Sequence, residues 1–153
     1  MADLLEPGSL APDFEGMNQD GIPVRLRDFR GQSVVLYFYP QDDTLGCTRE
    51  ACAFRDDTEA FRSAGAVVLG VSVQDEASHR EFREKYKLSF DLLADPGRRI
   101  MTAYGAVAFH GLAKRVTYVI GPDGRILAAY RRFDPMTHSK EALRILSGAR
   151  LRR

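Results

Sequence analysis

No apolar run in the sequence approaches the roughly 18 residues that a membrane-spanning helix requires, so no membrane association is expected. An excess of either charge is also lacking. Lysine and arginine number 22 against 21 aspartates and glutamates, a formal net charge of +1. Nucleic-acid binding needs a cationic surplus to neutralise phosphates, so no nucleic-acid partner is expected. The one basic cluster, GARLRR at 148–153, reads as cations favoured near a helix C-terminus rather than as a binding tail. A secretory start is missing too: MADLLEPGSLAPDF carries acidic residues and prolines where a leader has a basic start and a continuous apolar stretch. The expectation is a cytoplasmic protein. Repeats, low-complexity tracts and linker-like segments are absent, so residues 1–153 read as a single domain. Cysteine is scarce, with two in 153 residues. A chain of this length buries roughly 70% of its unfolded surface and needs no disulfide staples. Two thiols in such a chain point to redox or metal chemistry.

What is present alternates between two periodicities. SVVLYFYP (33–40) is an apolar, β-branched and aromatic run of buried-strand length, ended by a proline that cannot continue a ladder. From Cys47 the apolar positions recur every three to four residues, predicting a helix of about five turns that stops at Gly65. AVVLGVSV (66–73) repeats the buried-strand signal, and a second helix fits 76–86, with Phe82 and Tyr86 on one face. DGIPVRLRDFRGQ suggests a short strand and turn after an irregular start. FDLLADP reads as another short strand, and RRIMTAYG as a short helix. RVTYVIGPDGRILAAYRRF is a hairpin across Gly-Pro-Asp-Gly, and a last helix spans about 138–146. Strands alternating with helices, then an antiparallel pair and a final helix, predict an α/β protein. Its mixed central sheet has helices on both faces, in the element order of a thioredoxin-like fold.

Both cysteines fall in FYPQDDTLGCTREAC, just past the end of the strongest strand. With the helix beginning near 44–46, Cys47 occupies its first turn. There a thiolate meets unpaired backbone N–H groups and the positive end of the helix dipole. Its pKa is expected to fall below about 8.5, into the reactive range of roughly 3.5 to 7.5. A two-unit shift corresponds to about 2.7 kcal/mol in favour of thiolate. The competing reading of either cysteine is a buried, inert side chain, which suits Cys52 better than Cys47. Five helical residues separate Cα atoms by roughly 8.7 Å, and a disulfide needs them within about 7 Å. Pairing within one chain therefore requires the first helical turns to unwind. A metal site is disfavoured: C-x4-C is not the usual zinc spacing, and no second ligand pair follows. His79, His110 and His138 are scattered, and each reads as a surface or loop residue rather than a ligand. The C-x-x-C of a thioredoxin-type dithiol site is absent.

PQDDTLGC (40–47) has the form P-x-x-x-T-x-x-C and resembles the active-site signature of the peroxiredoxins. With Cys52 five positions on, the chain resembles the bacterioferritin comigratory protein (PrxQ) subfamily. The resemblance covers nearly the whole chain: APDF, DGIPVRLRDFRGQSVVLYFYP, VVLGVSVQ, FDLLADP and RVTYVIGPDGRI follow one another in family order. It implies a thioredoxin-like fold and reduction of hydrogen peroxide and organic hydroperoxides with no cofactor and no metal. Cys47 would be the peroxidatic cysteine and Cys52 the resolving one, within one chain or between two. Thr44 and an arginine would shape the peroxide site, Pro40 would shield it, and thioredoxin or a similar dithiol would regenerate the thiols. Arg115 occupies the family arginine's place, ahead of Arg131 or Arg132. Gly46 belongs to the same active-site loop. Glu50 matches a position that steadies the site, although an ordinary exposed helix glutamate fits it equally well. The Thr44 hydroxyl, the Cys47 N–H and the Arg115 guanidinium could supply donors where negative charge develops on the departing oxygen; Thr44 could also cap the helix. The sulfenic acid left on Cys47 condenses with a nearby thiol or is over-oxidised, which gives Cys52 its purpose. The chain is expected to be a monomer or weak homodimer. Leu45 stands where many relatives carry proline, and segment 104–116 is shorter than theirs and lacks their tryptophan. Two other functions share the fold: a peroxide-responsive sensor or binding protein, and a general thiol-disulfide oxidoreductase.

Overall fold

The computed structural model describes residues 4–131 and 134–151. Its strands are β1 (Glu15–Met17), β2 (Pro23–Arg25), β3 (Ser33–Phe38), β4 (Ala66–Ser72), β5 (Asp91–Ala94), β6 (Val116–Ile120) and β7 (Ile126–Arg131). They form one sheet in the order β2-β1-β5-β4-β3-β6-β7, with β3, β4 and β5 parallel and the flanking strands antiparallel. The helices are α1 (Leu45–Asp56), α2 (Thr58–Ser63), α3 (Glu76–Tyr86), α4 (Arg99–Ala103) and α5 (His138–Leu151). Short 3-10 helices cover Leu26–Phe29 and Pro135–Thr137.

β3 is central because every one of its residues is buried, so only an interior position satisfies both of its faces. Strand alternation divides its side chains between two cores. Val34, Leu36 and Phe38 pack with Val116, Tyr118 and Ile120 of β6 and with Ile100, Met101 and Tyr104 around α4. Val35, Tyr37 and Tyr39 face the other way, against Cys47, Ala51 and Phe54 of α1, Phe61 of α2, Phe82 of α3 and Ala142 and Leu146 of α5. The mixed sheet with helices on both faces is therefore present as expected. The β6–β7 hairpin turns at Gly124, whose φ of 82° is a left-handed conformation suited to glycine. Arg132 and Phe133 at the hairpin's far end, and Arg152 and Arg153 of the basic cluster, lie outside the described residues.

Two expectations differ from the structure. The single helix from Cys47 to Gly65 is two helices that break at Asp57 (φ −96°, ψ 13°). The Thr58 hydroxyl donates to the Arg55 carbonyl, competing with the helical ladder, and Lys140 of α5 holds the Asp57 carboxylate. The start read as irregular contains β1, which pairs with β2 and, through Met17 and Ala94, with β5. Three residues are too few to display an alternating pattern.

Candidate active site

The functional side chains gather where β3 ends and α1 begins. Tyr39 leaves the sheet, half-buried Pro40 ends the run, and residues 41–44 turn the chain into α1. Thr44 is the N-cap residue, and the Thr48 N–H donates to its carbonyl at 2.8 Å. Cys47 is the third helical residue, so helical geometry leaves the N–H groups of Leu45, Gly46 and Cys47 without intrahelical acceptors. The thiol is only 1% exposed, with its back to the aromatic floor of Tyr37 and Phe54. Sequence reasoning set Cys47 apart from buried thiols; burial here does not make it inert, because a charged group reaches it.

That group is Arg115, just before β6. Its Nη1 donates to Glu50 Oε1 at 2.7 Å, and its Nη2 lies 3.5 Å from Cys47 Sγ. The Arg115 side chain is 19% exposed and that of Glu50 is 0% exposed, so the arginine reaches toward solvent while its partner is sealed inside. Gly46 makes this approach possible: a Cβ there would sit 3.1 Å from Arg115 Nη2 and 3.8 Å from Pro135 Cγ. Burial tends to lower the Arg115 pKa, but Glu50 and Cys47 hold it above its ordinary value. Burial pushes Glu50 up to about 8, while Arg115 pulls it down. Glu50 is thus not an exposed helix glutamate; it is the fully buried hydrogen-bond partner of the site arginine.

The Thr44 side chain makes no cap hydrogen bond. Its hydroxyl donates to the Gln41 carbonyl at 2.9 Å, so it offers incoming groups its lone pairs rather than its proton. Cys52, half-buried on the same helix as Cys47, is a free thiol, as Cys47 is. The intact helix holds the two sulfurs apart. The structure thus brings Cys47, Gly46, Glu50 and Arg115 into contact and holds Thr44 and Pro40 on the adjoining loop.

Sequence reasoning missed two buried histidines, because it took His79 and His138 for surface or loop residues; both are 0% exposed. His79 Nδ1 lies 2.6 Å from Asp42 Oδ2, and its Nε2 lies 3.1 Å from the Leu93 carbonyl. Asp42 also accepts from the Tyr39 hydroxyl at 2.6 Å and the Ser78 hydroxyl at 2.8 Å. His138, the first residue of α5, lies 3.5 Å from Glu50 Oε2 and 2.7 Å from Thr117 Oγ1. Local sequence carries no signal for either histidine, and nothing in it separates Asp42 from its neighbour Asp43. Among the described residues no group of three or more histidines, cysteines, aspartates or glutamates could hold a metal ion. Nor is any helix among them long and apolar enough to cross a membrane.

Comparison with known proteins places these residues in a family. Residues 7–129 match the AhpC/TSA family. The chain is 49% identical over 142 residues to a protein of Oryza sativa subsp. japonica named peroxiredoxin Q, chloroplastic; the match covers 91% of this chain and 65% of that one. The chain thus spans somewhat less than two thirds of the length of this relative. Among solved structures, peroxidoxin BcpB of Mycobacterium tuberculosis superposes with a TM-score of 0.88 at 32% identity, covering 94% of this chain and 97% of that one. A PrxQ mutant of Xylella fastidiosa superposes with a TM-score of 0.91 at 28% identity, covering 97% and 99%. The fold is that of the thioredoxin-like peroxiredoxins. The relatives' names overturn the cytoplasmic expectation: eight curated plant relatives, 44% to 49% identical, are all named chloroplastic. The cysteine count behind the cytoplasmic expectation does not distinguish one compartment from another.

Proposed function

The chain belongs to the AhpC/TSA family, and from that premise we propose that it is a thiol-dependent peroxidase of the peroxiredoxin Q kind, reducing hydrogen peroxide and organic hydroperoxides through Cys47. The observation that carries the reading is the guanidinium of Arg115 3.5 Å from a cysteine sulfur in the first turn of a helix. A cation and a ring of unpaired N–H groups converge on one point, and both favour negative charge there.

The steps follow from that convergence. The Cys47 thiolate attacks one oxygen of the hydroperoxide and the O–O bond breaks. The departing oxygen leaves as alkoxide or hydroxide and takes a proton from water. Arg115 Nη2 and the Cys47 N–H donate to the oxygen on which charge grows, while Thr44 accepts from the peroxide O–H. Glu50 holds Arg115 in aim, Gly46 leaves room for it, and Pro40 borders the loop. Cys47 becomes a sulfenic acid. Cys52 then attacks that sulfur, water departs, and a Cys47–Cys52 disulfide forms. The bond requires the first turns of α1 to unwind, since helical geometry sets the Cα atoms roughly 8.7 Å apart and a disulfide spans less than about 7 Å. Thioredoxin or a similar dithiol supplies two electrons and two protons to restore the thiols.

Hydroperoxide consumption by wild type, Cys47→Ser and Cys52→Ser with a thioredoxin system tests the reading. Wild type is expected to turn over many times and Cys47→Ser not at all. Cys52→Ser is expected to be oxidised once and then recycled poorly. Full recycling by Cys52→Ser removes that residue from the mechanism. A wild type that stops after one equivalent is a sensor, and one that exchanges disulfides but ignores peroxide is a general oxidoreductase.

A further inference from the structure

His138 belongs to none of the steps above, yet it stands fully buried one side chain away from them. Its Nδ1 is 3.5 Å from Glu50 Oε2 and 2.7 Å from Thr117 Oγ1. The other Glu50 oxygen accepts from Arg115, whose second terminal nitrogen reaches Cys47. The contacts therefore run from α5 to α1, then to the residue ahead of β6, and finally to the reactive sulfur. Glu50 is 0% exposed, and its Oε2 makes no hydrogen bond in the resting arrangement. A carboxyl held by one oxygen alone can rotate about its last bond, and any such rotation moves the guanidinium it supports.

We propose that His138 is a positioning residue for peroxide reduction, its Nδ1 holding the second oxygen of Glu50 and so fixing the aim of Arg115 at Cys47. The inference rests on the peroxidase reading above. At 3.5 Å the contact is a close polar approach, and the ring limits how far the second carboxyl oxygen can swing. The other groups around His138 suit a fixed ring. Thr117 on β6 holds the same nitrogen laterally, and the Tyr130 ring of β7 packs on the imidazole with centroids 5.4 Å apart. The Tyr130 hydroxyl donates to the His138 carbonyl, tying the start of α5 to the sheet. Buried polar groups cost stability unless partnered, and Thr117 on β6 and Glu50 on α1 are polar neighbours that this ring has.

The test is the rate at which hydrogen peroxide oxidises Cys47, followed by stopped flow in folded protein. His138→Leu fills the space but offers no hydrogen bond, and is expected to slow the step by roughly 10- to 100-fold, the scale of a misaimed catalytic group. His138→Asn carries both a donor and an acceptor where Nδ1 stood, and is expected to restore most of the rate. In a Glu50→Ala background, His138→Leu is expected to add little, because the route through the carboxyl group is already cut. Thr117→Val, a near-isosteric change on β6, keeps the question open to test should His138→Leu not fold; it is expected to slow the step in the same direction, and only when Glu50 is present. Equal slowing by His138→Leu and His138→Asn, additive slowing with Glu50→Ala, or unaltered rates in both His138→Leu and Thr117→Val would each overturn the proposal. A wild type that peroxide does not oxidise at Cys47 would instead overturn the peroxidase reading itself.

Discussion

Residues 41–44 and the first turns of α1 are neighbours in the chain but are held in opposite ways. On the loop side, the Asp42 carboxylate takes the Tyr39 and Ser78 hydroxyls and faces His79, and the Asp42 N–H donates to Gln74 Oε1 at 3.0 Å. Asp43, left-handed at φ 57°, is gripped by Lys85 at 2.7 Å and the Tyr86 hydroxyl at 2.6 Å. The loop is thus bolted to α3. On the helix side, the side chains around Cys47 are latched through Arg115, and the rest is packing of Ala51 and Phe54. A segment whose polar ties all converge on one side chain, Glu50, can open locally by releasing it, whereas one tied at several successive residues opens only with its surroundings. The contrast marks where α1 can unwind to bring Cys52 to Cys47, and where the chain stays fixed while it does.

The loop side is expected to give the largest effect. Asp42→Ala leaves His79 buried without its carboxylate, and denaturant unfolding is expected to register a loss on the order of 3–5 kcal/mol. Peroxide oxidation of Cys47 in the protein that remains folded is expected to change far less. A slowed chemical step with undiminished stability would dissolve the distinction between the two regions. Next comes the latch: Arg115→Met is expected to slow Cys47 oxidation by about 10²–10³-fold, the scale of losing one charge-stabilising donor. Stopped-flow oxidation measures it, and a rate within a few fold of wild type would remove Arg115 from the site.

A third effect, on the pH dependence of stability, sharpens the account of Glu50. Burial raises this carboxyl from 4.5 to about 8. Between those values the folded protein keeps a proton that the unfolded chain has lost. Its contribution to stability is therefore complete below about pH 4.5 and is lost as pH rises through about 8. Glu50→Gln has no proton to lose, so the stability of wild type is expected to decline relative to the variant across that window. Parallel unfolding curves for the two proteins from pH 5 to 8 would contradict the burial argument.

Much of this comparison was legible in the sequence, and the illegible part shares one cause. β3, β4 and the β6–β7 hairpin announced themselves through local composition and period, and Cys47, Thr44 and Arg115 through a motif and its family context. The break at Asp57 was not visible, because a helical period continues through Phe61 while the interruption depends on side-chain bonds to Arg55 and Lys140. The burial of Glu50, His79 and His138 was not visible either. Glu50 meets Arg115 65 positions away, His79 meets Asp42 37 away, and His138 meets Thr117 21 away. A polar residue reads as exposed until the fold supplies its partner, and no local pattern encodes partners at those separations.

Amide hydrogen exchange, compared between the reduced protein and the protein oxidised by one equivalent of hydrogen peroxide, tests the account most directly. Residues 48–52 are expected to lose their protection on oxidation, while 41–43 and α3 keep theirs. Unchanged protection at 48–52 in protein that carries the Cys47–Cys52 disulfide would contradict it.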